Sequence, residues 1–213
     1  MLGCLLATTL RAAPATTGRA APVVQTAPVV QYVIVADSSA MVMQTYSGGL
    51  LGSLAQDYTI AFRRFSGAIA FAPNAADSAS FSLVMSTDSL VVLNRDLSGF
   101  ERREVLRKTK EDALETSRYP EIAFRSTRVA ATSSGPGRYD VAVSGMLTLH
   151  GVTRPTAFRA QITLAGPTLR ARGEFRLKQS DYGIRRVMAL GNLVRVKDEV
   201  RFAFDAFARA RPR

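Results

Sequence analysis

The sequence predicts an all-β fold, an antiparallel barrel of eight strands with one helix between strands. Apolar and polar residues alternate through most of the chain from Gln31 onward, and glycine- or proline-containing turns separate the runs. One segment, at about residues 98–117, has helical spacing instead. So many short antiparallel strands indicate a sandwich or a closed barrel, and closure removes exposed sheet edges.

Length and composition favour one domain behind a tail. The chain has 213 residues, 47% hydrophobic and 21% charged, close to the averages of globular proteins. Residues 1–31 are rich in Ala, Pro, Thr and Val and contain no acidic residue, which is typical of a disordered linker. We expect an export or anchoring tail over 1–31 and the barrel over 32–210.

The tail contains one short motif, "LGC" at residues 2–4. It resembles the end of a bacterial lipoprotein signal, in which the cysteine is lipidated after cleavage, and a start codon assigned too far downstream would account for the missing basic region. Cys4 is therefore a candidate lipidation site. The alternatives are a truncated secretory signal and an ordinary tail.

The first strands follow from β-branched and aromatic runs. "QYVIVADSSAMVMQTY" and "YTIAFRRFSGAIAFAP" are separated by "SGG" and followed by "PNAADS". In "SASFSLVMSTDSL", Phe81, Leu83 and Met85 share one face and serines occupy the other. This period of two predicts a half-buried strand.

The charged segment after these strands predicts the helix. Ser98 and Glu101 have the spacing of a capping box, and Pro120 closes the segment. Phe100 and Leu106 are candidates for a lid at one barrel mouth. The alternative is that they only anchor a surface connection.

The remaining strands continue the alternation, and Gly145 marks a bend or bulge within one of them. An eight-stranded barrel is wide enough either to fill itself with side chains or to hold one small ligand, and periodicity does not choose between the two. Any ligand is expected to be largely apolar, because the inward positions are apolar. The candidate cavity residues are Phe81, Leu83, Met85, Phe124, Val143, Leu147, Phe158, Ile162, Phe175, Leu177, Tyr182, Phe202 and Phe204.

Two of the aromatic and polar candidates have competing interpretations. Tyr182 could offer its hydroxyl to a ligand head group or pack beneath the turn at Gly183. His150, the only histidine, has the parity of the outward residues and precedes Gly151, so we interpret it as part of a tight turn bonded to the turn backbone rather than as a catalytic group.

Charge and motifs argue against catalysis, metal binding and nucleic-acid binding. The formal net charge is +11, but the arginines alternate with apolar residues as on a solvated sheet face, without a nucleic-acid motif. One cysteine and one histidine cannot build a cysteine or histidine-rich metal site, and no nucleophile elbow, P-loop or dinucleotide fingerprint is present. We therefore expect no enzyme and no cofactor.

Five motifs in order, with the charged helix, resemble the YceI-like family of bacterial lipid-binding proteins over about residues 31–207. They are "FSGAI", "RYPEIAFRST", "VSGMLTLHGVTRP", "LKQSDYGI" and "VKDEVRFAF". The resemblance implies a lipocalin-like barrel whose cavity binds a long isoprenoid or other fatty chain, usually in the periplasm or exported. The strand "VADSSAMV" departs from it, since family members often have a histidine there.

The function expected from this resemblance is non-covalent binding of one long-chain lipid, an isoprenoid, an isoprenoid quinone or an acyl chain, for transport or storage in the bacterial cell envelope. The alternative is a ligand-free barrel that acts as a stress-response interaction module at the membrane surface.

Overall fold

The computed structural model of the protein describes residues 29–48, 56–72, 79–185, 188–189 and 194–212. The predicted tail up to residue 28, with Cys4, lies outside the described residues. The strands are β1 Val30–Ile34, β2 Ala40–Gly48, β3 Tyr58–Phe62, β4 Phe65–Phe71, β5 Ser80–Ser86, β6 Leu90–Val92, β7 Glu121–Gly135, β8 Arg138–Leu149, β9 Val152–Ala165, β10 Thr168–Lys178, β11 Met188–Ala189 and β12 Val194–Ala210. The helix α1 spans Gly99–Lys108.

Eight strands close into an antiparallel barrel, as the alternation predicts. They follow the order β1-β4-β5-β7-β8-β9-β10-β12, and β12 pairs back with β1, so that Tyr32 lies opposite Ala210. Alternate residues of each strand point inward; in β8 almost every second side chain is buried. Closure leaves these eight strands without a free edge in the ring.

At one end the barrel is widened by a second set of pairings. β12 continues past β1 and pairs with β2, β2 pairs with β3, and β3 pairs with β6. The chain then leaves β6 and enters α1. This end of the barrel is therefore the one beside the helix, whereas the opposite end carries the β7–β8 and β9–β10 turns.

The α-helix begins at the predicted capping box. Ser98 Oγ accepts the Glu101 backbone N–H, and the Glu101 carboxylate accepts the Ser98 backbone N–H at 2.7 Å. A π-helical turn, Thr109–Ala113, follows α1, with the Leu114 N–H donating to the Thr109 carbonyl. The wider turn aims Ala113 and Leu114 into the core, where both are buried.

Gly145 lies beside a bulge, as predicted. It pairs with Ser126, while the preceding Ser144 pairs with Arg128, so Thr127 is the extra residue on β7. A Cβ at Gly145 would overlap the Arg125 carbonyl oxygen and the Phe124 ring. The glycine thus allows two strands and an inward ring to approach closely.

Candidate functional site

An apolar cavity of about 620 Å³, called the large cavity below, lies at the helix end of the barrel. α1 and the π-helical turn form one wall, and the opposite walls come from β2, β3, β8, β10 and β12. Its apolar lining consists of Met43, Ile60, Leu97, Phe100, Val105, Ala113, Leu114, Leu149, Leu177, Ile184, Val196, Val200 and Phe202. Ligand pockets in proteins commonly have volumes of about 300–1,000 Å³, so this one is large enough for a small lipid.

The polar residues of this cavity are concentrated on α1 and on the strands and turns beside it. They are Thr45, Ser47, Gln56, Tyr58, Asp96, Glu101, Glu104, Lys108, Thr109 and Gln179. Burial, and secondarily the nearby negative charge of Glu101, raise the pKa of the Tyr58 phenol, so it stays a neutral hydroxyl. The side-chain bond from Ser98 lowers the pKa of Glu101, and the bond from Arg107 lowers that of Glu104.

A much smaller space, about 40 Å³, lies toward the opposite end of the barrel. Its lining includes Ile69, Phe71, Phe81, Ile162 and Phe204. All of its exposed wall is apolar. A space of this kind stays dry when it lacks polar partners for water.

Stacked rings separate the two spaces. Phe202, which lines the large cavity, stacks on Phe175 at 5.4 Å between ring centroids, and Phe175 stacks on Phe158 at 5.4 Å. Phe158, which lines the small space, also contacts the rings of Phe124 at 5.3 Å and Phe204 at 5.6 Å. The middle of the barrel is therefore filled by aromatic side chains.

The predicted cavity residues fall into three groups. Leu177 and Phe202 line the large cavity. Phe81, Val143, Phe158, Ile162 and Phe204 line the small space. Neither cavity is lined by Leu83, Met85, Phe124, Leu147, Phe175 or Tyr182, which belong to the core or pack against it.

Only one of the two residues predicted to form a lid lines the large cavity. Phe100 lines the large cavity and is 66% exposed, whereas Leu106 packs against the core without lining it. Val105, one residue earlier, lines the cavity together with Met43 and Ile60. Met43 and Ile60 are not among the residues predicted from the sequence, although the inward alternation of β2 and β3 could have identified both.

His150 connects three segments beside the cavity. It forms with Gly151 a two-residue turn in which both residues have positive φ, 52° and 73°, as a type I′ hairpin requires. Its Nδ1 lies 3.2 Å from the Tyr182 carbonyl oxygen, and its Nε2 lies 3.2 Å from a Glu115 carboxylate oxygen. The Tyr119 ring packs on the imidazole at 4.3 Å. The turn interpretation was right about position, but the imidazole bonds neighbouring segments rather than its own turn.

Tyr182 packs in the hydrophobic core and does not line the large cavity. Its side chain is 3% exposed, and its hydroxyl lies 3.2 Å from Thr156 Oγ1. Gly183, with φ of 70°, ends the 3-10 turn Gln179–Tyr182 directly after it.

The described ranges contain neither a cluster of metal ligands nor a helix that could span a membrane. Among those residues, no three His, Cys, Asp or Glu side chains converge as metal ligands would. In the same part of the chain, no helix has both the length and the apolar composition needed to cross a membrane.

Proteins with similar sequences include UPF0312 proteins of Vibrio species. A UPF0312 protein of Vibrio parahaemolyticus is 38% identical over 106 residues, which are 49% of this chain and 50% of that protein. A UPF0312 protein of Vibrio cholerae is 32% identical over 129 residues, 58% of this chain and 62% of the relative. The chain thus matches between half and two thirds of the length of these curated relatives.

Solved structures share the fold at low sequence identity. Burkholderia cenocepacia BcnA superposes with a TM-score of 0.61 and 20% identity, covering 82% of this chain and 98% of BcnA. A polyisoprenoid binding domain from Saccharophagus degradans gives a TM-score of 0.56 and 16% identity, covering 85% of this chain and 99% of that domain. The sequence profile of the YceI-like domain matches residues 32–208. The chain, a closed eight-stranded antiparallel barrel with one helix among its described residues, therefore belongs to the YceI-like family.

Proposed function

We propose that the protein binds one long-chain lipid non-covalently in the cavity beside α1, without performing chemistry on it. The proposal rests on the large cavity, which has a volume of about 620 Å³ and a largely apolar wall. Aromatic side chains fill the middle of the barrel beyond it. The description of the S. degradans neighbour as a polyisoprenoid binding domain supports the same class of ligand.

The energetics favour such a ligand. Each buried methylene contributes about 0.8 kcal/mol, so a chain of roughly sixteen carbons gains about 13 kcal/mol. Association and ordering cost about 4–15 kcal/mol, depending on how far the site is already formed. The cavity is preformed on its strand side, where Ile60, Leu149 and Val200 are buried in the core.

The finer role that we propose is carriage or storage of an isoprenoid, isoprenoid quinone or acyl lipid in the cell envelope. Its support is the likeness of residues 32–208 to the YceI-like family and the lipoprotein-like motif at Cys4. Fractionation of cells, with mass measurement of the mature N-terminus, distinguishes a lipid-anchored from a free periplasmic protein.

The test of binding uses the full chain, purified natively, extracted with organic solvent and analysed by mass spectrometry. We expect about one equivalent of a prenyl or acyl species, or uptake of added 1-hexadecanol by the extracted protein. An empty extract with no uptake would contradict the proposal and favour the alternative, a ligand-free interaction module.

A matched pair of variants locates the site. Ala113 lines the cavity and is buried, whereas Ala142 is exposed on the outer face of β8. Ala113→Phe is expected to fill the cavity and reduce uptake at least tenfold, while Ala142→Phe leaves uptake unchanged. Equal uptake by both variants would show that the lipid binds elsewhere.

A further inference from the structure

The described lining of the large cavity carries a net negative charge, although the formal net charge of the chain is +11. Three carboxylates, of Asp96, Glu101 and Glu104, line it against the single ammonium of Lys108, so its described lining carries two more negative than positive charges. Arg185, which precedes the undescribed residues 186–187, is exposed and does not line the cavity. The local sign is thus opposite to that of the whole chain.

The partners of these carboxylates leave most of their charge in place. Glu101 accepts from the Ser98 backbone N–H and Asp96 accepts from the Gln56 amide, and both donors are neutral. Arg107 bonds Glu104 at 3.2 Å but also bonds Glu111 at 3.0 Å, so one guanidinium serves two carboxylates. The helix side of the cavity therefore remains anionic.

A buried amide adds an acceptor to the strand side of the cavity. Gln179 is 7% exposed, lines the cavity, and donates from Nε2 to the Lys197 carbonyl oxygen at 2.8 Å. Because a carbonyl oxygen only accepts, the nitrogen must face Lys197, which leaves Oε1 as the free end of the amide. No described residue donates to this oxygen, so it is available to a donor on a ligand.

The remaining polar groups do not reverse this balance. The Tyr58 hydroxyl, kept neutral by burial, can donate or accept. Thr109 Oγ1 already donates to the Val105 carbonyl oxygen, and Ser47 Oγ donates to the Gln56 carbonyl oxygen. Lys108 is the one lining residue in the described part that only donates and carries a positive charge.

We propose that this cavity selects long-chain lipids whose head group is an uncharged hydroxyl and disfavours the carboxylate of a fatty acid with the same chain. The inference rests on the proposed function and specifies its ligand class. A hydroxyl can donate to Gln179 Oε1 or to a carboxylate at the helix side, whereas a fatty-acid carboxylate only accepts and brings a like charge next to the carboxylates of the lining.

The experiment compares 1-hexadecanol with hexadecanoate on the full chain, by native mass spectrometry and calorimetric titration at pH 8, where the fatty acid is ionised. The dissociation constant of the alcohol is expected to be at least tenfold lower. Equal affinities, or tighter binding of the carboxylate, would overturn the selection while leaving lipid binding intact. Failure of both ligands to bind would overturn the proposed function itself.

Charge variants distinguish the helix-side carboxylates from the charge of the whole protein. The double variant Asp96→Asn, Glu104→Gln is expected to bind hexadecanoate at least fivefold more tightly and to leave hexadecanol within twofold. Asp140→Asn with Glu199→Gln makes the same change of net charge on the outer face, where both residues are exposed, and should leave the ratio unchanged. Identical ratios in the two double variants would overturn the role given to Asp96 and Glu104.

Discussion

Replacement of Phe158 by alanine tests the filled middle of the barrel. Phe158 is 9% exposed and contacts four rings on four other strands, those of Phe81, Phe124, Phe175 and Phe204. Because these rings are each held by their own strand, they cannot collapse far into the space that the substitution leaves.

The expected loss follows from that geometry. Buried Phe→Ala changes cost about 3–5 kcal/mol, and the cost is larger where the surroundings relax little. A loss of about 4 kcal/mol lowers Tm by roughly 8–16 °C in a domain of this size. The free energy of unfolding of a typical domain is only about 5–15 kcal/mol, so the variant is expected to fold but to be marginal.

The assay is urea unfolding of the two full-length proteins, followed by circular dichroism, with Phe100→Ala as control. Phe100 is 66% exposed, and its removal is expected to change stability by less than about 0.5 kcal/mol. A loss below about 1 kcal/mol for Phe158→Ala would refute the filled middle. Phe158→Ala also removes a ring from the wall between the two cavities. Among n-alkanols of increasing length, the variant is therefore expected to prefer a longer one than the unsubstituted protein does.

The two remaining predictions concern stability. Ser98→Ala removes the side-chain acceptor of the Glu101 N–H, while the bond from the backbone N–H of residue 98 to the Glu101 carboxylate can still form, and it is expected to cost about 1 kcal/mol in thermal unfolding. Ser98→Thr keeps the hydroxyl and should cost less; equal losses would contradict the cap. The bond from Arg170, followed by that from Arg172, lowers the pKa of Asp205 in the folded state. Its contribution is therefore present above the unfolded pKa of about 4 and lost as pH falls through the lower folded value, so Asp205→Asn should flatten the acid limb of a stability–pH curve.

Alternation predicted the faces of the strands well because a period of two is a local property. It says which side chains point inward but not how far along the barrel axis they lie. Phe158 and Phe202 are both inward, yet one lines the small space and the other the large cavity. Whether the barrel is hollow or filled depends on how rings from different strands stack, and spacing along one strand does not encode that.

The helix and the histidine show the same limit. The capping box fixed where α1 begins, but the π-helical turn that directs Ala113 and Leu114 inward has no comparable local signature. His150 was correctly placed at a turn, yet its bonding partners lie 32 and 35 residues away in the chain. Contacts of that range come from tertiary packing, which a single sequence reveals only through resemblance.

The position of β12 has a consequence for how the chain reaches its native state. This last strand pairs on one side with β10 and on the other with β1 and β2, and Phe207 N–H donates to Ser39 Oγ across 168 residues of sequence. Loop closure over such distances is slow, and the ring stays open until β12 has been synthesised. Until then the edges of β10 and β1 lack their final partner and are open to pairing with another chain. The nascent polypeptide is consequently at its greatest risk of aggregation in the interval before β12 is available for pairing.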